Sequence, residues 1–451
     1  MLLWQEFPTL FRGWMMNDNI LNSLSDIFQK YECYLVGGYL RNYFINSYIS
    51  QDRDIAVIKK AKELALEIAD KTEGTFIELD NENEIYRVVL KDKINYFDVS
   101  KILNDNVFED AKRRDFTINA IFYDLNKKEF YDPFSGRDDI KRKIIRTPDL
   151  NNMTDDPLRM LRFYRFISKT GFEADEKLRK FCIDNFDLIK NCATERINAE
   201  IIHIFEGEYV VKSLLSMFED NVLEKVFPFI SEIKKIPPNS HHHLDLVHHS
   251  IETVKNIRIN KPLLKIAAFY HDIGKPSVWT IEESGRHRFI GHDNLGGEIV
   301  KEELKKLNFS TKAVNYISKM VKNHIYPAAL VNSEDSKKAF ARFVRKIGDD
   351  VPDLIELSRA DRLSALGPDI TKDMVEKALN HLENLLEYYN KVKSEVKAPK
   401  SLLDGIEIME TLNIKPSKKV GEIIEALIEE QLMGNIKTKK EAVDFIKNIE
   451  L

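Results

Sequence analysis

Short runs rich in β-branched and aromatic residues punctuate the first third of the chain: YLVGGYL (34–40), DIAVI (54–58), YRVVL (86–90) and NYFDV (95–99). Each reads as a strand. AKELALEIADK (61–71) instead repeats its apolar positions at three- and four-residue steps, which predicts a helix with one buried face. After about residue 148 the strand runs almost vanish. Helical spacing continues through DDPLRMLRFYRFISK, ERINAEIIHIFEG and VVKSLLSMFEDNVLEKVF. Thr147-Pro148-Asp149 marks the change, Pro237-Pro238 a second break and Pro399 a third. The pattern predicts an α+β fold, a mixed head followed by a long helical body and tail.

Composition narrows the class. A length of 451 residues allows roughly three domains at about 150 residues each. Lys and Arg number 68 against 73 Asp and Glu, a formal charge of −5, which excludes binding of nucleic acid by bulk positive charge but not by local basic tracks. With 43% hydrophobic and 31% charged residues, the balance is that of a globular protein. No uncharged apolar stretch is long enough to span a membrane. The apolar stretch 1–16 is broken by Glu6, Pro8 and Arg12 and does not read as a signal peptide. Cys33, Cys182 and Cys192, with no CxxC spacing, read as free thiols in a reducing, cytoplasmic setting.

The chemistry concentrates first in the head. LVGGYLRN (35–42) sets Gly37 and Gly38 between a strand and a helix, where backbone N–H groups can approach an anion. Asp52 and Asp54 open the next strand one residue apart, so alternation points both carboxylates to one face. Like charges that close repel unless a divalent cation lies between them. Oxygen ligands of this kind favour Mg²⁺. Separately, a glycine pair is most often a turn and Asp-x-Asp a solvated strand end; together and in this order they are more specific. Asp98, on NYFDV, is placed to complete a triad. RRDFTINAIFYD (113–124) adds Arg113 and Arg114, donors suited to phosphate or ribose oxygens, with FTINAIF read as an apolar helix start.

LVGGYLRN, DRDIAV, RRDFTINAI, DPFSGRDDI, DDPLRMLRFYRF and ERINAE stand in the order found in class II tRNA nucleotidyltransferases. Over residues 33–205 the chain resembles that family, the CCA-adding enzymes and their bacterial poly(A) polymerase relatives. The resemblance implies a small mixed-sheet nucleotidyltransferase head, similar to the polymerase-β palm, over 1–147. It also implies a helical neck (148–237), an all-α body (238–397) and a helical tail (398–451). The implied reaction is template-independent addition of CCA to the tRNA 3′ end, the RNA hydroxyl attacking the α-phosphate of CTP or ATP. Asp52 and Asp54 would hold Mg²⁺, with Asp98. Gly37, Gly38 and Arg41 would meet the triphosphate, and Arg114 phosphate or ribose, with Asp115 and Asn119 nearby. Two positions depart from the family pattern. Asn42 stands where Asp is usual, which is expected to weaken a local ion pair. Asp155-Asp156 replaces Glu-Asp and keeps both carboxylates.

Asp156, Arg159, Arg162 and Arg165 recur every three residues on a predicted helix, near one face. A carboxylate only accepts hydrogen bonds and a guanidinium only donates them. Cytosine and adenine both offer an amino donor beside a ring-nitrogen acceptor, and uracil and guanine reverse that pattern. Asp156 and Arg159 can therefore accept C and A without a nucleic-acid template, leaving Arg162 and Arg165 for phosphates. Taken alone, the same spacing is an ordinary ion-paired helix face. Glu195, Arg196 and Glu200 of ERINAE read as a buttress of the neck helices or as exposed ion pairs.

All 11 histidines lie beyond residue 200. HHHLDLVHHSIETV, FYHDIGKP, GHDNLGGE, KNHIYP and RADRLSA resemble an HD metal-dependent phosphohydrolase domain. The resemblance implies His249, His271, Asp272 and Asp361 as ligands of a divalent cation of unspecified identity, with His292 and His324 as candidates for a second metal or a phosphate. His241–His243 fit the start of such a domain. In relatives this domain is linked to phosphatase and cyclic-phosphodiesterase activity on RNA ends. Lys415, Lys418, Lys419, Lys437, Lys439 and Lys440 of the tail are placed for tRNA phosphates or for solvent.

Four alternatives accompany CCA addition. A poly(A) polymerase is disfavoured by the short linker into DRD and by the HD domain. A CC-adding enzyme is disfavoured by the intact FIELDNENEIYRVVL (76–90), whereas an A-adding enzyme is not. An HD signalling phosphohydrolase with a nucleotide-sensing head is disfavoured by the intact Asp52 and Asp54.

Overall fold

The computed structural model describes residues 18–46, 50–237, 244–330, 336–365, 367, 370–395, 401–432 and 435–448. The apolar stretch 1–16, Pro238, His241–His243 and Pro399 lie outside these. The chain divides into two compact units, one running to Glu200 with Gly207–Val222 and one comprising Ile201–Glu206 with Leu223 onward.

The first unit carries a seven-stranded sheet. In chain order its elements are β1 (Cys33–Val36), α1 (Gly38–Asn46), β2 (Asp52–Val57), α2 (Ala61–Thr72), β3 (Thr75–Asp80), β4 (Ile85–Val89), β5 (Tyr96–Lys101), α3 (Val107–Lys112), β6 (Phe122–Asp124) and β7 (Phe130–Tyr131). The strand order is β3-β4-β5-β2-β1-β6-β7. β2 and β5 are parallel and every other neighbour is antiparallel. A parallel pair needs a long crossover, here supplied by α2, β3 and β4. α2 buries Ala61, Leu64, Ala65, Ile68 and Ala69, the apolar stripe of its sequence.

The mixed head and helical remainder agree with the α+β expectation. Residues 116–122 differ from it. They form one tight turn, Thr117–Asn119, and then strand β6, not a helix. Phe116, Ile118, Ile121 and Phe122 are all fully buried. A run buried on every side carries no helical stripe, and Phe122 pairs with Val36 and Tyr131 in the sheet interior. The first unit continues with α4 (Leu158–Thr170), most of α5 (Thr194–Glu206) and α6 (Val210–Glu219). Pro157 precedes α4, and Gly171 closes it in the left-handed conformation that glycine tolerates.

The second unit is built on helices. They are α7 (Leu246–Asn256), α8 (Pro262–Tyr270), α9 (His292–Lys306), α10 (Thr311–Asn323), α11 (Ser336–Ile347), α12 (Val351–Ser364), α13 (Lys372–Glu395), α14 (Gly405–Leu412), α15 (Lys418–Leu432) and α16 (Lys439–Lys447). α8 is apolar apart from Lys265, with Leu264 through Tyr270 buried, because α7, α10 and α12 enclose it. α14, α15 and α16 share a core of Ile408, Ile423, Leu427 and Ile446.

Candidate active site and metal-ligand clusters

Strand register assembles the head site. Parallel pairing sets Asp54 beside Asp98, and antiparallel pairing sets Asp98 beside Arg87. Asp52, Asp54 and Asp98 each offer an oxygen, all within 4.8 Å of one another. Arg53, between the two aspartates, points to the opposite face, where it is buried against Asp18 at 3.0 Å. Burial, then Asp54 and Asp98, pushes the Asp52 carboxyl up to about 7. Burial raises Asp54 as well. Asp52 Oδ1 is buried with no hydrogen-bond partner. Crowded carboxylates with an unmet oxygen are the donor set a divalent cation suits, so the residues fit Mg²⁺.

Gly37 explains the glycine pair. Its φ is +69°, and a Cβ there would stand 2.5 Å from Asp54 Oδ2. The Gly38 N–H donates to that same oxygen at 3.3 Å. The glycines thus seat the Asp54 carboxylate.

The arginines are held by partners. Arg41 is buried, donates to Asn119 Oδ1 at 2.5 Å and to Asn42 Oδ1 at 3.1 Å, and lies over the Phe166 ring. Asn42 therefore keeps a hydrogen bond to Arg41 and gives up only the charge. Burial, with Arg165 close by, draws the Arg41 guanidinium down to about 10, so it stays charged at neutral pH. Arg113 and Arg114 both grip Asp110, which is 1% exposed. Asn119 Nδ2 donates to Asp115, and Asp115 receives Arg162. Burial alone would raise the Asp115 carboxyl, but Arg162 and Asn119 hold it below its ordinary range.

Asp156 lies before α4, in extended conformation, and accepts from Arg196 at 2.8 Å. Arg159 donates to the Asn152 carbonyl at 3.1 Å. Arg165 meets Glu200, which is 5% exposed, at 2.9 Å. Arg162 and Arg165 are thus bound to carboxylates rather than left open for phosphates. Arg196 and Glu200 act as the buttress, tying α5 to the start and middle of α4.

The HD-type site gathers residues from three helices: His249 from α7, His271 and Asp272 from the end of α8, and Asp361 from α12. His249 Nε2 and His271 Nε2 lie 3.1 Å apart, and Asp361 Oδ1 is 3.1 and 3.4 Å from them. Asp272 Oδ2 is 3.5 and 3.3 Å away from the same nitrogens. Ligand atoms about 2.1 Å from one ion stand about 3.0–3.4 Å apart, so this spacing fits a coordination shell. Burial lowers the His271 imidazole, but Asp272 and Asp361 outweigh it and hold it up at about 10. His324 goes the other way: burial, with His271 and His292 beside it, pushes it down to about 4. A cavity of about 350 Å³ opens on this cluster, bordered by Lys275, Phe289, Ser358 and Arg362.

Comparison with known proteins adds a second line. Residues 33–146 match the family described as the poly A polymerase head domain, 171–234 the probable RNA-binding site of polymerase A, and 240–366 the HD domain. The chain belongs to the tRNA nucleotidyltransferase and poly(A) polymerase family. Within the family it is 29% identical over 423 residues to an A-adding tRNA nucleotidyltransferase of Deinococcus radiodurans, covering 92% of this chain and 94% of that one. A CC-adding tRNA nucleotidyltransferase of Thermus thermophilus is 26% identical, covering 92% and 93%. Among solved structures, the Bacillus stearothermophilus CCA-adding enzyme in complex with CTP superposes with a TM-score of 0.63 at 20% identity, covering 95% of each chain. The Thermotoga maritima CCA-adding enzyme complexed with tRNA gives 0.60 at 19% identity, covering 94% and 93%.

Three polar residues of the head site escape a reading of the family motifs: Asp110, Arg87 and Asp18. Asp110 had a signal, since it sits three and four residues before the arginines it holds. Arg87 and Asp18 had none, because only folding brings them to Asp98 and Arg53.

Proposed function

We propose that the chain is a template-independent nucleotidyltransferase that completes tRNA 3′ ends with CCA, using CTP and ATP. The observation that carries this reading is the Asp52–Asp54–Asp98 triad beside Gly37 and the Arg41–Asn119–Asp115–Arg162 chain. Bound Mg²⁺ would supply Lewis acidity to the attacking hydroxyl and to the departing pyrophosphate. Asp52 and Asp54 would hold that ion, with Asp98 completing the donor set. Arg41 and Arg114 offer donors to the triphosphate. Asp156 and Arg159 accept the Watson–Crick edge that C and A share. The chain's contribution is position and charge.

A narrower reading, addition of the terminal A alone, is favoured by one observation: identity to the A-adding relative is 29%, against 26% to the CC-adding relative matched over the same share of this chain. One assay separates the two. The protein is given tRNA lacking CCA, or tRNA ending in CC, with labelled CTP and ATP singly and together. Ordered C, C, A incorporation supports the first. Incorporation of A only, and only on the CC-ended substrate, supports the second. No incorporation on either substrate would sink both.

The second site supports a further activity, metal-dependent hydrolysis of phosphoesters at RNA ends. His249, His271, Asp272 and Asp361 would hold a divalent cation, which would activate water. Arg362 at the cavity wall suits an anionic substrate, while Lys275 is buried and paired with Asp272 Oδ2 at 2.5 Å. Asp54→Ala is expected to abolish transfer and spare hydrolysis, and His271→Ala the reverse. Loss of both activities in either variant contradicts two independent sites. The three free thiols, two of them buried, support a cytoplasmic setting. Among the described residues no helix is long and apolar enough to cross a membrane.

A further inference from the structure

Arg87 stands on the same sheet face as the three aspartates of the head. Strand pairing lines up Asp54, Asp98, Arg87 and Ile77 across β2, β5, β4 and β3. Tyr86, Val88, Phe97 and Val99, which alternate with Arg87, Tyr96 and Asp98, are buried on the side that α2 covers. Alternation therefore turns Arg87, Tyr96 and Asp98 to the opposite face, where the carboxylates meet.

The contact between Arg87 and Asp98 has a definite form. Arg87 Nε donates to Asp98 Oδ1 and Nη2 to Oδ2, each at 2.7 Å. The guanidinium carbon lies 4.4 Å from the centre of the Tyr96 ring, which fixes the plane of the fork. Tyr96 in turn hydrogen-bonds Asp52. A carboxylate oxygen carries two lone pairs, and the fork takes one on each oxygen of Asp98. An Asp98 oxygen nevertheless stands within 4.8 Å of oxygens on Asp52 and Asp54. Asp98 can therefore turn only its remaining lone pairs to an ion held among the three.

Stability does not account for the pair. The Arg87 side chain is 36% exposed and that of Asp98 21%, a setting in which an ion pair adds little to folding. Its charge is felt inside the site instead. Burial, Asp54 and Asp98 all raise the Asp52 carboxyl, and Arg87 pulls against them.

We propose that Arg87 is a positioning residue of the transfer site. It fixes the orientation of Asp98 and offsets one of the three negative charges, so the triad binds a divalent cation more weakly than three bare carboxylates would. This rests on the reading of the head as a nucleotidyltransferase and deepens it. A fixed Asp98 sets where the cation sits relative to the attacking hydroxyl, and displacement by about 1 Å lowers rate steeply.

The test titrates Mn²⁺ into the full chain and follows free Mn²⁺ by its electron paramagnetic resonance signal. Binding that persists with Asp52→Asn and Asp54→Asn together belongs to the second unit and is subtracted. Arg87→Met is expected to bind Mn²⁺ in the head about tenfold more tightly than the parent. Its kcat for nucleotide addition should fall about tenfold or more, with KM for CTP and ATP within about twofold. Arg87→Lys keeps the charge without the fork, so it should keep the parent's Mn²⁺ affinity and still lose rate. Melts in EDTA should place both variants within about 2 °C of the parent, as suits an exposed pair. A large fall in both assigns the pair to folding and overturns the proposal. Mn²⁺ affinity in Arg87→Met that is unchanged or lower, or no Mn²⁺ in the head of the parent, also overturns it. A raised KM with kcat unchanged overturns it too and assigns Arg87 to nucleotide binding. Absence of transfer in the parent sinks the nucleotidyltransferase reading instead, and the Mn²⁺ titration still decides whether Arg87 offsets the charge of the triad.

Discussion

Asp115 accepts two hydrogen bonds from Arg162, from Nε at 3.0 Å and from Nη2 at 2.5 Å, although 47 residues separate them. The pair fastens α4 to the catalytic sheet, and through Asn119 it also fixes Arg41. Asp115→Asn is expected to destabilise the first unit by about 3 kcal/mol, the lower end for a broken buried pair, because Arg162 keeps partial access to water. Urea titration measures this. A double-mutant cycle with Arg162→Met should return a coupling of about 1–3 kcal/mol. Additive effects would show that the two residues act separately.

Asp52 ties stability to pH and to metal. Its folded pKa of about 7 lies above the ordinary 3.8, so its ionisation opposes folding. The penalty is absent below the unfolded value, grows as pH rises toward 7 and is constant above it. Asp52→Asn removes it. In EDTA at pH 8 the variant is expected to melt about 2–4 °C above the parent, with the gap closing near pH 4. Mg²⁺ should raise the parent's melting temperature more at pH 8 than at pH 5.5, where it must first displace a proton. Transfer activity should meanwhile fall more than about 10³-fold in the variant.

The proposed function gives Arg159 a part in base choice. Arg159→Leu leaves Asp156 and Arg196 paired but takes away the donor that this reading sets against the ring nitrogen of C or A. Competition between labelled CTP and UTP should show relative UTP use rising about tenfold or more, the equivalent of about 1.4 kcal/mol. Unchanged discrimination would assign base choice to other residues.

Much of the head could be read from sequence because its signals are local. Asp52 and Asp54 are two residues apart, and strand alternation alone puts them on one face. Gly37 precedes a helix, and a Cβ there would meet Asp54 Oδ2 at 2.5 Å on a backbone already at φ +69°, which is why glycine serves. The arginines of α4 were also visible, but not what they bind. Arg162 and Arg165 read as open donors until folding supplied Asp115 and Glu200. The 116–122 run misled for a different reason, since a short segment buried on every side has no period to read. His292 and His324 stood in the sequence as secondary candidates. What the sequence withheld was their place beside Asp272, which depends on where α9 and α10 dock.

Glu356 offers an acid-stability test in the second unit. It is 4% exposed and accepts from Arg258 and Arg359. Burial raises its carboxyl, but the Arg359 and Arg258 hydrogen bonds overcome that and bring it down to about 2. Its contribution is complete above about 4.5 and is lost as pH falls toward 2. Glu356→Gln should lower stability by about 3–5 kcal/mol at pH 7. The difference from the parent should shrink as pH is taken below 4, as followed by circular dichroism.

The HD-type centre also sets an order on folding. Its ligands begin at His249 on α7 and end at Asp361 on α12, with 111 residues between them. No part of that segment can form the complete shell before α12 has docked. Closing so long a loop is slow compared with forming any of its helices. Completion of the ligand set therefore waits for α12 to dock. A chain stopped short of Asp361 during synthesis would lack that carboxylate, whatever the state of its earlier helices.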